Sequence, residues 1–244
     1  SAVATINKWV AHKTQNSIQK LLSPNDIKNT TSVLINTLFF HGKWLTPFNP
    51  KQTFKQSFFY SGKQKKVSMM HITHDFDYTS TPTMQILSLP YQDKKISLLV
   101  LLPKSHTTLN AVKTQLDLPM FHNILKSLKQ TKVRVSLPQY HFNTKTHLKK
   151  YLESMGLTLP FTNKANFSNM TTLSHYTIKS VIQSSRINVN EEGTKMAVAT
   201  TIGMTTLALT YPRPIIFNAN HPFIFALYDR NTHLIIALGQ LISP

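Results

Sequence analysis

Hydrophobic positions along the chain switch between helical and strand periods, and the switches divide it into elements. Val3, Ile6, Trp9 and Val10 recur at helical spacing, predicting an amphipathic helix with Lys8 and His12 on its polar side. Ile18, Leu21 and Leu22 predict a shorter turn, stopped at Ser23-Pro24. Residues 33–40 are almost unbroken apolar sequence, as in a strand covered on both faces. Residues 85–89 and 96–102 predict two strands joined by Pro90-Tyr91-Gln92-Asp93. Leu109, Val112 and Leu116, then Phe121, Ile124, Leu125 and Leu128, predict two short helices. Val133, Val135 and Leu137 alternate with polar residues, the mark of a half-exposed strand. Leu148, Leu152 and Met155 share one helical face, with Gly156 placed as the C-terminal cap. A strand-like run covers 176–189, and the last strands fall at 215–217, 223–227 and 234–241. Strands dominate and helices interrupt them without a βαβ rhythm, which predicts an α+β fold in one domain.

One stretch fits neither period. Glu191-Glu192-Gly193 opens it, bringing two of only nine acids next to a glycine that can take positive φ. Thr194-Lys195-Met196-Ala197-Val198-Ala199-Thr200-Thr201 follow, small or β-branched apart from Lys195 and Met196, before Met204 and Leu207. As a buried strand it is too small-sided, and as an ordinary loop it is too apolar and too long. A loop able to join a sheet later satisfies both objections.

Glu-Glu-Gly-Thr-x-x-Ala-x-Ala-Thr at 191–200 resembles the hinge of a serpin reactive-centre loop. Six further anchors match that family in order. They are Phe39-Phe40-His41-Gly42-Lys43-Trp44, Leu89-Pro90-Tyr91, Leu101-Leu102-Pro103, Leu137-Pro138, Met155-Gly156-Leu157 and Asn220-His221-Pro222-Phe223-Ile224-Phe225. The resemblance implies a serpin-like fold: several mostly antiparallel sheets, surrounding helices and a mobile reactive-centre loop. It also implies that residues 1–244 are a single serpin domain lacking its N-terminal third. Asn36 and Gln183 then fall where the central sheet parts to admit the loop, glutamine standing where a histidine is common, and Trp44 near the point of loop entry.

Composition adds one strong feature. Twenty-seven Lys and Arg against nine Asp and Glu give a net charge of +18, a surface that attracts polyanions such as heparin-like glycans. The positive residues are spread along the chain, so no specific nucleic-acid partner is expected. With no run of eighteen apolar residues, no membrane partner is expected either. The chain has no cysteine, which excludes disulfides and a thiolate nucleophile. The compartment stays open, with secretion favoured over the cytoplasm; sequons at Asn29, Asn166 and Asn169 occur at about chance frequency.

Enzymatic chemistry finds little support. No Gly-x-Ser-x-Gly elbow exists, and six glycines leave no phosphate- or oxyanion-binding loop. His71, His74, Asp75 and Asp77 crowd into seven residues, but nothing in the pattern brings the histidines together, and the resemblance makes this a surface connection. Neither metal nor cofactor is expected.

By the resemblance the protein is not an enzyme but a suicide-substrate inhibitor of a serine protease. Serpin loop insertion is itself a known instance of strand addition and released strain. Counting forward from Gly193 by the family's hinge length puts the reactive bond between Leu207 and Ala208; counting back from Pro222 lands one residue later. Leucine there suits a protease of the chymotrypsin, cathepsin G or elastase type. Lys195 and Met196 replace the family's usual acid and alanine. Strand alternation turns Thr194, Met196, Val198 and Thr200 inward and leaves Lys195 in water. The alternatives are a non-inhibitory serpin-fold carrier or chaperone and a polyanion-binding protein.

Overall fold

The computed structural model describes residues 1–28, 30, 32–172, 176–193 and 213–244. In chain order they form α1 (Ala2–Lys13), β1 (Val33–Phe39), β2 (Phe54–Tyr60), β3 (Lys63–Ser80), β4 (Met84–Pro90) and β5 (Ile96–Pro103). Then come α2 (Leu109–Gln115), α3 (Leu118–Ser127), β6 (Lys129–Pro138), β7 (Tyr140–His147) and α4 (Lys149–Ser154). The last strands are β8 (Ser180–Val189), β9 (Ile215–Asn218), β10 (Phe223–Asp229) and β11 (Ile235–Leu241). Most strand pairs are antiparallel; β1 with β8 and β6 with β9 are parallel. The α+β expectation holds. The chain divides into two compact units, residues 1–40 with 141–187 and residues 41–140 with 188–244.

In the first unit, a three-stranded sheet has the order β1-β8-β7. Val10 of α1 packs with Ile18, Leu21, Leu22 and Ile182 in its core. Residues 18–22 form no helix, contrary to the spacing, although Ile18, Leu21 and Leu22 are buried as the pattern required. The Asn7 side chain replaces the missing helical bonds. Its Oδ1 accepts from Leu21 N and Leu22 N at 3.0 and 2.8 Å, and its Nδ2 donates to Leu22 O at 2.9 Å. β1 is not covered on both faces, for Leu34 is 53% exposed. Gly156 ends the α4 region at φ +95°, as a left-handed cap requires.

The second unit is built on an eight-stranded sheet, β11-β10-β5-β4-β3-β6-β9, with β2 paired to β3. β4, β5 and β10 carry near-continuous apolar sequence because both of their faces are buried. On one face Met84, Ile86, Leu99, Leu101, Ile224 and Ala226 meet Val112 of α2 and Phe121 and Ile124 of α3. On the other, Tyr140 packs its ring against Phe223 and Phe225 at 5.9 and 5.5 Å between centroids. β2 and β7 have no counterpart in the hydrophobic pattern: polar residues fill most of β7, and in β2 three consecutive polar residues, Lys55-Gln56-Ser57, break the alternation. The stretch His71–Asp77, expected as a surface connection, is the middle of β3, paired with β6 from Met69↔Pro138 to Tyr78↔Lys129. Cross-strand bonding makes the strand there, against weak local pattern.

Asp26 is the electrostatic tie of the first unit. It accepts from Lys145 Nζ at 2.7 Å and from Ser23 N and Oγ at 2.6 Å each. Burial works to raise its pKa, but the bonds from Lys145 and Ser23 outweigh it and hold the carboxyl at about 2. A depressed pKa contributes stability above the unfolded value near 3.8, lost as pH falls toward 2. Asp26→Asn should therefore lower stability at pH 7 by no more than about 1 kcal/mol, because Lys145 is partly solvated. Urea unfolding at a series of pH values should show this gap closing between pH 4 and 2. A gap constant over that range would contradict the assignment.

Candidate functional site

β8 runs straight into a tight turn at Asn190–Gly193, the start of the stretch singled out in the sequence. Asn190 N donates to Gly193 O at 3.1 Å and Gly193 N to Asn190 O at 3.3 Å, leaving Glu191 and Glu192 at the corner. Asn190 Oδ1 stiffens the turn by accepting from Glu192 N at 3.2 Å.

Residues 43–48 hold this turn from one side. Trp44 N donates to Glu192 O at 2.9 Å, Phe48 N donates to Glu191 O at 2.8 Å, and Lys43 bridges Gly193 in antiparallel fashion. The Trp44 indole Nε1 donates to Asn190 O at 2.8 Å. Its ring is 4% exposed, stacks on Tyr91 at 4.5 Å and meets Phe48 edge-on at 6.4 Å. The buried indole N–H thus finds a partner at the hinge turn, which explains a tryptophan rather than a phenylalanine here.

Gly193 is required twice over. Its φ is +120°, and a Cβ would stand 2.2 Å from Gly42 O and 2.7 Å from both Lys43 Cα and Trp44 N. The acids take different roles. Glu191 is fixed by its side chain, whose Oε2 accepts from Gln139 Nε2 at 2.7 Å, while Glu192 is held through its backbone. Gln139, Asn190 and Phe48 were not singled out from the sequence, although Gln139 directly follows the Leu137-Pro138 anchor. Their pairing depends on chain segments far apart in sequence.

Asn36 and Gln183 come together in the first unit, as partners in the parallel β1–β8 register. The Gln183 side chain donates to Ser185 Oγ on its own strand at 3.3 Å. Thr194, Lys195, Met196, Ala197, Val198, Ala199, Thr200, Thr201, Leu207 and Ala208 lie outside the described residues.

β3 turns the two candidate metal-binding histidines to opposite faces, since they are three residues apart on a strand. His71 Nδ1 bonds Ser136 Oγ at 3.0 Å and its ring stacks on Phe54; burial lowers its pKa. His74 Nδ1 accepts from Asp75 N at 2.8 Å. No group of three or more metal-ligating side chains occurs among the described residues. No helix there is long and apolar enough to cross a membrane.

Gly193→Ala should lower stability by about 1–3 kcal/mol from backbone strain alone. Contact with residues 42–44 should add to that and loosen the turn. Urea unfolding followed by Trp44 emission in a Trp9→Phe background measures both. An unfolding midpoint equal to the parent's would contradict the close approach.

A family model for serpins, serine protease inhibitors, matches residues 1–244. Serpin B11 of Homo sapiens is 34% identical over 247 residues, covering 98% of this chain and 62% of the relative. Intracellular coagulation inhibitor 2 of Tachypleus tridentatus is 31% identical over 239 residues, covering 97% and 58%. Among solved structures, native tengpin, a thermophilic serpin, superposes over the whole chain with TM-score 0.88, 28% identity and 63% of its own length covered. Native protease nexin-1 with heparin gives TM-score 0.87 and 31% identity, with 100% of this chain and 66% of that one covered. The chain thus spans about three-fifths of the length of the curated relatives it matches. The family model over the whole chain and the whole-chain structural similarity agree, and the chain belongs to the serpin family.

Proposed function

We infer that the protein inhibits a chymotrypsin-like serine protease as a suicide substrate. The observation that carries this is the root of the loop: a turn at 190–193 gripped by residues 43–48, continuing directly from β8. In the first unit β1 and β8 are hydrogen-bonded neighbours from Val33↔Ser180 to Phe39↔Arg186, a parallel seam into which one more strand could be added. The names of several relatives, among them Antichymotrypsin-2 and Antitrypsin of Bombyx mori, describe protease inhibitors.

The proposed cycle needs no catalytic group from this protein. The target's serine attacks the carbonyl carbon of Leu207, forming an acyl-enzyme and releasing the new amino terminus at Ala208. The freed segment from Thr194 onward enters the seam between β1 and β8, carrying the protease with it before the ester is hydrolysed. Small and β-branched residues at 197–201 suit a strand entering a packed sheet. Leu207 suits the apolar pocket of a chymotrypsin-, cathepsin G- or elastase-type enzyme. The whole fold on this reading is a single serpin domain of which residues 1–244 are the C-terminal two-thirds. The +18 charge supports acceleration by a heparin-like polyanion. Lys195 and Met196 favour the second reading, a non-inhibitory carrier or chaperone of the same fold.

Thr194→Arg separates the two readings. A guanidinium would have to enter the interior of the sheet as insertion begins, at prohibitive desolvation cost. The variant should turn from inhibitor to substrate when titrated against chymotrypsin, with loss of the gel-stable complex. Unchanged stoichiometry would sink the insertion mechanism.

The reactive bond is tested by mass spectrometry of the C-terminal peptide released from a denatured complex. A peptide beginning at Ala208 is expected, and Leu207→Arg should redirect inhibition toward trypsin. A peptide beginning at Thr205 or Pro214 would place the bond elsewhere.

A further inference from the structure

The second unit also carries a cleft of about 620 Å³ that the hinge does not use. Leu45, 41% exposed, and Pro90 line it as an apolar wall, with buried Phe76 also part of the lining. Lys94 and Arg230 bring two cations to the same lining. Asp77 accepts from Arg230 Nη2 at 2.9 Å and from Gln130 Nε2 at 2.6 Å, so its charge is satisfied within the protein. A guanidinium has five N–H donors, and this pairing leaves the fork able to receive a second anion. Asp75 stands opposite Lys132 in the β3–β6 register.

The backbones of Lys94 and Arg230 are set in place by the turns that bear them. Asp93 Oδ1 accepts from Lys95 N and Ile96 N at 3.0 and 3.2 Å, which locks the turn carrying Lys94. Asp229 Oδ1 accepts from Asn231 N and Thr232 N at 2.8 Å each, which locks the turn carrying Arg230. Arg230 N donates to Lys95 O at 2.7 Å and ties the two turns together. Two cations on locked turns beside an apolar wall complement one acidic head on an apolar body.

The wall of this cleft is continuous with the grip on the hinge. Leu45 N donates to Pro90 O at 2.9 Å, and Gln92 N donates to Lys43 O at 2.7 Å. Between them Trp44 bridges and stacks on Tyr91. Lys43 and Trp44 also pair with the turn at 190–193, so residues 43–45 join the hinge to the β4–β5 turn.

The geometry points to this cleft as a binding site for a small amphipathic anion whose occupancy tightens the hold of residues 43–45 on the hinge. The ligand is a carboxylate on an aliphatic or aromatic body, seated on Leu45 and Pro90 with its charge at Lys94 and Arg230. Its effect on inhibition rests on the inhibitory reading given above; its binding does not.

Calorimetric titration with octanoate and 3-phenylpropanoate, each beside its neutral alcohol, tests the site. At least one acid should bind saturably and at least tenfold more tightly than its alcohol, and which acid binds identifies the body. Leu45→Trp, which fills the cleft, and Lys94→Asn, which tolerates the left-handed φ of +58°, should each weaken binding at least tenfold. Lys20→Asn, a charge removed in the other unit, should leave it unchanged. Failure of both acids to bind, or an equal loss in Lys20→Asn, would overturn the site. In a Trp9→Phe background, saturating acid should change Trp44 emission and slow protease inhibition at least threefold. Constant emission at saturation overturns the coupling. Changed emission in a protein that inhibits no protease leaves the cleft standing and removes the inhibitory reading instead.

Discussion

The backbone bonding between residues 43–48 and the turn at 190–193 is the constraint on which the proposed mechanism depends. Two main-chain bonds, an indole bond and a glycine that admits no Cβ fix where the chain leaves β8. On the inhibitory reading proposed above, insertion must begin from one defined register, which a firm root supplies. Trp44 contributes in two ways, donating to Asn190 on the hinge side and stacking on Tyr91 on the other.

The parallel contact of β1 and β8 would give the other half of the proposed mechanism its physical form. Its partners run in one unbroken register over seven residues, with Asn36 opposite Gln183. Opening such a seam exchanges one row of backbone bonds for two when a further strand enters. The entering strand therefore gains hydrogen bonds as well as burial.

Scarce acids explain much of the charge. Seven of the nine are engaged in structural bonding, Glu153 through an i,i+4 pair with Lys149 at 4.0 Å. Asp26 binds Lys145 and Ser23, Asp77 binds Arg230 and Gln130, Asp117 accepts from Met120 N at the start of α3, and Glu191 binds Gln139. Asp93 and Asp229 each cap a turn. With so few acids to offset them, the lysines give the protein a strongly positive field.

Local pattern was enough to read the fold class, most strands and the helices from the sequence. Where a strand is buried on both faces, as in β5, its residues are apolar whatever it pairs with. Ordered anchors and the Glu-Glu-Gly hinge likewise showed the family, since a positive-φ glycine and a buried tryptophan are local demands. β2, β7 and the middle of β3 were not legible, because their stability comes from cross-strand bonds to distant residues. Nor was the coil at 18–22, where one asparagine replaces the helical bonds that the spacing promised. Gln139 on Glu191 and Arg230 on Asp77 join residues 52 and 153 positions apart. Which residue faces which across such distances is set by strand register and chain reversal, and only the tertiary structure decides it.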